Sequence, residues 1–162
     1  MSAIEHAAQA YRAATQEFLA EARAVPAEQL DRTPPEGWSA RQIIHHMADS
    51  ETQSYSRIRR LLAEPSPTIQ GYDEEAWAHC STLGYTELPV EVSLRVFEAV
   101  REASAGLIDR MTPADLEKSG THTERGTITI AHWLDMYTRH PREHAQQLNH
   151  ADRKSTRLNS SH

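Results

Sequence analysis

The sequence predicts an all-α fold, a four-helix bundle with a long crossover between the second and third helices. Apolar residues recur every three or four positions in four separate segments, and no segment shows the alternation of period two that is typical of strands. A chain of 162 residues with 38% apolar and 25% charged residues is long enough for one domain with its own core. We therefore expect one bundle domain over residues 1–151.

The first predicted helix runs from about residue 3 to residue 24, because its apolar residues fall on one face. Three prolines and a glycine between Pro26 and Gly37 then favour a loop. The apolar residues of this helix are Ile4, Ala7, Ala8, Tyr11, Ala14, Phe18, Leu19 and Ala22.

The second predicted helix has a clear start signal. Ser39 and Gln42 fit the S-x-x-Q capping box, in which the two side chains satisfy backbone donors of the first turn. Pro65 and Pro67 follow its end, because proline cannot continue a helix. Its apolar stripe consists of Ile43, Ile44, Met47, Ala48, Tyr55, Ile58, Leu61 and Leu62.

The connection from Pro65 to Pro89 is long enough to cross between distant helices of a bundle. A short helical turn is expected from Tyr72 to Trp77. These two aromatic residues either line the mouth of a pocket or pin the crossover to the bundle.

The third helix is expected over about residues 89–111, and Thr127 or Thr129 is expected to cap the fourth helix. The inner face of the third helix should carry Val92, Val96, Phe97, Val100, Leu107, Ile108 and Met111, and that of the fourth begins with Ile130, Trp133, Leu134 and Tyr137.

The inner face of the fourth helix continues onto His140 and His144, where the period demands core residues. Histidines four apart on a helix have Cβ atoms about 6 Å apart, so both rings can reach one metal ion. At 100° per residue, His46 lies at the edge of the second helix's stripe and His45 nearly opposite, which makes His46 the better third ligand. The alternative is a buried polar cluster satisfied by water.

Pro141 lies inside the fourth helix, where it removes one backbone hydrogen bond at a cost of about 3 kcal/mol. We expect a distortion beside His140. It is either tolerated strain or a kink that aims the His140 ring at the metal.

Charge and hydropathy exclude two classes of partner. The net charge is −6 and the basic residues form no long run, so neither nucleic acid nor an anionic membrane is expected to bind. No apolar stretch approaches the roughly 20 residues that span a bilayer, and the polar N-terminus lacks a signal-peptide pattern, so a cytoplasmic location is expected. The single cysteine, Cys80, is expected to be a packing residue.

The last eleven residues, DRKSTRLNSSH, look like the translation of a common sequencing adapter, codon for codon. We therefore expect residues 152–162 to be a non-native tail, with the natural sequence ending near Ala151, and exclude the tail from fold reasoning. The alternative is an ordinary polar tail.

Two segments carry a resemblance to a known family. GWSARQIIHHMADSE and YTRHPREHAQQL, together with PTIQGYDEEAW and ITIAHWLDMYTRH, resemble the DinB-like superfamily, and within it the YfiT-like, bacillithiol-transferase-like group of metal-dependent hydrolases. The resemblance covers most of residues 38–151 and implies a four-helix bundle with a long crossover. It also implies His46, His140 and His144 as ligands, one zinc or nickel ion, and a homodimer.

The sequence departs from many YfiT-like proteins around the last histidine pair. Glu143 and Gln147 stand where those proteins carry further histidines. Gln147, one turn beyond His144, is expected to orient its ring, because metal-bound histidines usually need a partner for their other nitrogen. Asp49 and Glu143 are candidate general bases or, alternatively, solvated surface residues.

A metal held by three imidazoles and one open position is typical of catalytic sites. It could activate water for hydrolysis, which is the leading hypothesis, or deprotonate a thiol for transfer of a low-molecular-weight thiol onto an electrophile. A stress-responsive metal-binding protein without turnover and a plain bundle without an ion stay open. A small-molecule substrate is expected in the first two cases. The remaining histidines are expected at the surface or at helix caps: His6, His45, His79, His122, His132 and His150.

Overall fold

The computed structural model describes the backbone of residues 1–160 and the side chains of residues 1–149. It confirms the all-α class. In chain order the helices are α1 (Ala3–Ala24), α2 (Ala40–Ala63), the short α3 (Glu74–His79), α4 (Val90–Arg110) and α5 (Ile130–Ser160). The non-native origin of residues 152–162 stays a prediction, and the side chains of that segment lie outside the described part.

The helix starts follow from side-chain caps. Ser39 Oγ accepts a hydrogen bond from the Gln42 backbone at 3.2 Å, and Gln42 Oε1 accepts from the Ser39 backbone at 2.9 Å, which confirms the capping box. Of the two threonines proposed to cap the last helix, Thr129 does so, because its Oγ1 accepts from the His132 backbone at 3.1 Å. Local hydrogen bonds thus set where α2 and α5 begin.

The four long helices are arranged so that α1 contacts α4 and α5, and α2 contacts the same two helices. The consecutive helices α1 and α2 therefore lie diagonally opposite in the bundle. The predicted crossover connects α2 to α4, and its predicted helical turn is α3, which begins where Asp73 Oδ1 accepts a hydrogen bond from the Ala76 backbone. None of the described helices combines the length and the apolar composition that crossing a membrane requires.

The expectation that the chain has no strands is wrong in detail. A small sheet has the order β1 (Thr68–Ile69), β2 (Ser119–His122) and β3 (Gly126–Thr129), with β1 parallel and β3 antiparallel to β2. Strands of two to four residues are too short to show an alternation in sequence. Gly120 permits the close approach of β1 and β2, because a Cβ there would lie 2.5 Å from the Pro67 carbonyl oxygen.

The interior consists of two apolar clusters separated by a polar layer. One cluster surrounds Trp133 and Ile108, and the other surrounds Phe18 and Phe97. Between them α1, α2 and α4 contribute buried polar side chains, and α5 places its two half-buried histidines at this level. The polar layer is formed by Thr15, Glu51, Ser54, Arg101 and Ser104.

The burial of individual side chains shows that three expectations from the sequence are wrong. Val92, predicted on the inner face of α4, is 57% exposed, whereas Arg101 and Ser104 are buried on that helix. Tyr55, predicted in the α2 stripe, is 38% exposed. Cys80 is exposed and is therefore not a packing residue. Arg101 can be buried on α4 because acceptors on α1, α2 and α5 bind its guanidinium, and a count of apolar residues cannot detect that.

Candidate metal centre

The structure brings His46 from α2 together with His140 and His144 from α5. One ring nitrogen from each lies within 4.8 Å of the others. The ring centroids are 5.4 Å apart for His46 and His140, 5.1 Å for His46 and His144, and 4.6 Å for His140 and His144. Three imidazoles from two packed helices therefore converge on one point.

The hydrogen bonds of these rings leave nitrogen atoms available. His144 Nδ1 lies 2.7 Å from Gln147 Oε1, which can only accept, so Nδ1 carries the proton and Nε2 keeps its lone pair. His144 Nε2 is 3.0 Å from His140 Nε2. His46 Nδ1 is buried without a hydrogen-bond partner among the described residues.

Burial keeps the three rings neutral. Loss of hydration and, to a smaller extent, the neighbouring His144 lower the pKa of His46 to about 3. The pKa of His140 is also held well below its usual value by burial and by the two other rings, and burial lowers that of His144. Neutral imidazoles supply lone pairs rather than charge, which is the state that binds a metal. The donor set and the orphaned His46 nitrogen fit one divalent ion.

Three of the other predicted residues, Asp49, Tyr72 and Trp77, lie on α2 and on the crossover that follows it. Tyr85 OH donates a 2.6 Å hydrogen bond to Asp49 Oδ2, one turn of α2 beyond His46. Burial, and then the bond to Asp49, raise the pKa of Tyr85. The rings of Tyr72 and Trp77 contact each other at 4.6 Å, and burial raises the pKa of Tyr72.

Glu143 and Gln147 differ in their relation to the rings. Glu143 is exposed, with Oε1 3.7 Å from Arg139 Nη1, and its charge raises the pKa of His144 against the dominant effect of burial. Gln147 contacts His144 directly. The catalytic and ligand roles of all these residues stay predictions at this point.

Two histidines predicted at the surface are buried. His45 is 5% exposed, with Nδ1 2.7 Å from Ser93 Oγ and Nε2 2.9 Å from the Leu88 carbonyl. His122 Nδ1 accepts hydrogen bonds from the backbone of Glu124 and Arg125 in the β2–β3 turn. Their partners come from segments whose position the helical period does not reveal.

The α5 helix continues through Pro141, where a donor from another helix replaces the hydrogen bond that proline removes, and the expected distortion beside His140 stays a prediction. Proline has no N–H, so the Tyr137 carbonyl four residues earlier lacks its helical donor. Arg101 Nη1 on α4 donates to that carbonyl at 2.6 Å and also contacts Glu51 Oε1 at 3.1 Å. Sequence analysis missed Arg101, although Pro141 was a signal that an external donor was needed beside His140.

Arg101 is tied to the first helix as well. Its Nη2 donates to the Tyr11 carbonyl at 2.8 Å and its Nε to Thr15 Oγ1 at 2.7 Å. Its guanidinium carbon is 3.5 Å from the centroid of the Tyr11 ring. One buried cation thus joins α1, α2, α4 and α5 at the level of the histidines.

A cavity of about 260 Å³ lies next to His140. Its wall is formed by α2, the crossover, the β2–β3 turn and α5, and it contains His140 and Glu143. A second ligand could therefore lie directly beside the histidine cluster.

Comparison with known proteins places the chain among others of this architecture. A model of the DinB superfamily matches residues 10–148. YfiT from Bacillus subtilis, described as "a probable metal-dependent hydrolase with an unusual four-helix bundle topology", superimposes with a TM-score of 0.86 at 25% identity, over 96% of this chain and 90% of that one.

Two curated relatives bear the name "Putative metal-dependent hydrolase". The protein of Oceanobacillus iheyensis is 37% identical over 122 residues, which are 75% of this chain and 69% of the relative. That of Bacillus mycoides is 38% identical over 112 residues, 69% of this chain and 63% of the relative, so about a third of each relative is unmatched. With the family match over most of its length, the chain belongs to the DinB superfamily.

Proposed function

We propose that this protein is a metal-dependent hydrolase that holds one divalent ion with His46, His140 and His144. The observation that carries the proposal is the convergence of three neutral imidazoles whose nitrogen atoms lie within 4.8 Å of one another. The names of the relatives and of YfiT support the same activity. Zinc and nickel are the proposed ions, because both are well suited to imidazole ligands.

When bound, such an ion supplies Lewis acidity toward a carbonyl oxygen and lowers the pKa of a coordinated water or thiol. The chain's own residues orient the ligands. Gln147 Oε1 fixes the proton of His144 on Nδ1, and Trp38 packs edge-on against His46 with centroids 5.0 Å apart. These contacts hold two of the three rings in fixed orientations, which reduces the cost of assembling the site.

Asp49 is the proposed general base rather than Glu143. Asp49 Oδ2 accepts a hydrogen bond from the Tyr85 hydroxyl, so Oδ1 is left to take a proton from an attacking water. Glu143 is exposed, and its Oε1 lies 3.7 Å from Arg139 Nη1. Asp49 is also only half-buried on the helix turn after His46, so water can reach it.

Thiol transfer is the second candidate function. The observation in its favour is the cavity beside His140, which has room for another small molecule next to the ligand cluster. The same Lewis acid would then act on a thiol, and the product would be a thioether rather than an acid. Both candidates use a small-molecule substrate.

The first test is elemental analysis of protein purified without a polyhistidine tag. About one equivalent of zinc or nickel is expected, and the His140→Ala, His144→Ala double variant should lose it. His132→Ala is the matched control, because His132 is exposed on the same helix. Equal metal contents in the double variant and the control would contradict the proposed site.

Turnover assays then separate the functions. Hydrolysis of esters or amides without added thiol supports the hydrolase, whereas reaction that depends on an added thiol and an electrophile supports the transferase. Metal binding with neither reaction would support the third hypothesis, a metal-binding protein without turnover. Asp49→Asn should lower the hydrolytic kcat while leaving metal content unchanged.

A further inference from the structure

The cavity beside His140 has an unusual distribution of charge. Two arginines, Arg57 and Arg125, and two glutamates, Glu74 and Glu124, lie in its wall. Within the part of the chain whose side chains are described, none of the four has an oppositely charged atom within 4 Å. The cavity therefore presents unpaired charges of both signs.

Neutral groups hold Arg57 in place. Its Nη1 donates to the Tyr137 hydroxyl at 2.9 Å and its Nη2 to the Gln70 carbonyl at 2.8 Å. These acceptors fix the half-buried guanidinium but do not neutralise it, so its charge stays available to a ligand.

Arg125 is positioned by the β2–β3 turn. The turn is closed by His122 Nδ1, which accepts from the backbone N–H of Glu124 at 3.0 Å and of Arg125 at 3.2 Å. Arg125 Nη1 donates to the thioether sulfur of Met136, at 2.8 Å, and thioethers are weak acceptors. Among residues 1–149 the other side-chain donors of Arg125 have no hydrogen-bond partner, so they can bind an anionic group.

The two glutamates lie in the wall of the same cavity, one beside Gly71 and the other on α3. The Glu124 carboxyl group lies over Gly71, where an added Cβ would be only 2.9 Å from its Cδ atom. Glu74 is in the first turn of α3, and burial raises its pKa even though both arginines act in the opposite direction. Arg139 and Glu143 also line the cavity, but they lie 3.7 Å from each other.

A cavity that keeps two cations and two anions apart is complementary to a ligand that carries both charges. We propose that it binds a small zwitterion of the amino-acid or dipeptide class, with the carboxylate against Arg57 and Arg125 and the ammonium group against Glu74 and Glu124. This proposal rests on the proposed function, because His140 in the same wall places the ligand's reactive group next to the metal centre. It names the substrate class of that centre.

The test is calorimetric titration of the purified full-length chain with the dipeptide L-alanyl-L-alanine, repeated after removal of metal. L-alanyl-L-alaninamide, which lacks the carboxylate, and N-acetyl-L-alanyl-L-alanine, which lacks the ammonium group, should each bind about tenfold more weakly. Arg125→Gln should weaken dipeptide binding about tenfold and leave amide binding unchanged. Arg59→Gln is the matched control, because Arg59 contacts the Tyr55 ring outside the cavity.

A second pair of variants tests the ammonium site. Glu74→Gln should weaken binding of the dipeptide but not of its N-acetyl analogue, whereas Glu75→Gln, at the adjacent position outside the cavity wall, should change neither. No dipeptide binding at up to about 10 mM, or equal binding of all three ligands, would overturn the proposal. Equal effects of Arg125→Gln and Arg59→Gln would do the same. Because the titration does not require metal, its failure is distinct from loss of the metal centre.

Discussion

His45 and His46 are neighbours on α2, and both are buried, with 5% and 2% of their surfaces exposed. Both nitrogens of His45 have partners, Ser93 Oγ and the Leu88 carbonyl. His46 instead faces two other imidazoles and keeps a nitrogen without a partner among the described residues. A buried histidine that is fully hydrogen-bonded acts in stability, whereas one with a free nitrogen is available to a ligand.

The largest effect is expected at Arg101. Like His45, Arg101 is a buried polar residue with hydrogen-bond partners, but it also carries a charge. Arg101→Met should lower the free energy of unfolding by about 3–5 kcal/mol, because Glu51 is left buried and unpaired. Urea denaturation measures this, with Arg95→Met at an exposed position of α4 as the control. A double variant, Glu51→Leu with Arg101→Met, should recover much of the loss. A single-variant cost below 1 kcal/mol would mean that the pair is not desolvated.

The next effect distinguishes the two neighbouring histidines directly. His46→Ala should reduce the affinity for zinc at least about 100-fold, since one of three ligands is lost. His45→Ala should keep about one equivalent of metal. Competition with a chromogenic chelator measures both. If the two variants bound metal equally well, the distinction between paired and unpaired nitrogens would have no functional meaning.

In the metal-free protein, substitution of His45 should lower the free energy of unfolding more than substitution of His46. His45→Ala should cost about 2 kcal/mol, because Ser93 Oγ loses its partner at a part-buried site and the Leu88 carbonyl loses one of its two donors, Arg41 Nη1 being the other. His46→Leu should change stability little, since it replaces a ring with an unsatisfied nitrogen by an apolar group. Urea unfolding in the presence of a chelator compares them, and a greater loss at His46 would reverse our assignment.

A smaller effect is expected at the residues that support each histidine. Gln147→Leu should weaken zinc binding about tenfold, because His144 Nδ1 loses its acceptor. Ser93→Ala, which removes a partner of His45, should cost about 1 kcal/mol of stability without changing metal affinity. The same chelator competition and urea series apply. Unchanged metal binding in Gln147→Leu would exclude Gln147 from the site.

The smallest effect is expected where both partners are exposed. Arg12 Nη1 lies 2.8 Å from Asp109 Oδ1 and lowers the pKa of Asp109, so the pair stabilises the fold above the unfolded-state pKa near 4. That contribution is lost as the pH falls through the lower, folded-state pKa. Arg12→Gln should cost only about 0.5 kcal/mol at pH 7 and less at lower pH. A clearly larger loss of unfolding free energy at pH 7 would show that solvent does not screen the Arg12–Asp109 ion pair.

The helices were predictable because their signals are local. The capping box at Ser39 and the apolar period of α1 lie within a few residues of the boundaries they set, and α1 spans residues 3–24 as predicted. The choice of His46 for the histidine cluster followed from the same period. These features need no knowledge of distant segments.

The features that were missed depend on contacts between distant segments. The β1–β2 pairing joins residues 68–69 to residues 121–122, and neither segment is long enough to show the alternation of period two that predicts a strand. His45 is buried because the chain near Leu88 returns to cover it. Arg101 is buried because four acceptors on three other helices converge on it. Burial of a polar group is decided by partners that a periodic pattern does not contain.

The diagonal placement of α1 and α2 has a consequence for how the chain folds during synthesis. The apolar face of α1 is covered by α4 and α5, so α1 cannot bury that whole face until both of these later helices of the bundle have been made. Contacts between the two ends of a chain raise the contact order and slow folding. The nascent chain therefore exposes the part of the α1 face that packs on α5, including Tyr11, whose ring stacks on Trp133, until α5 has been made.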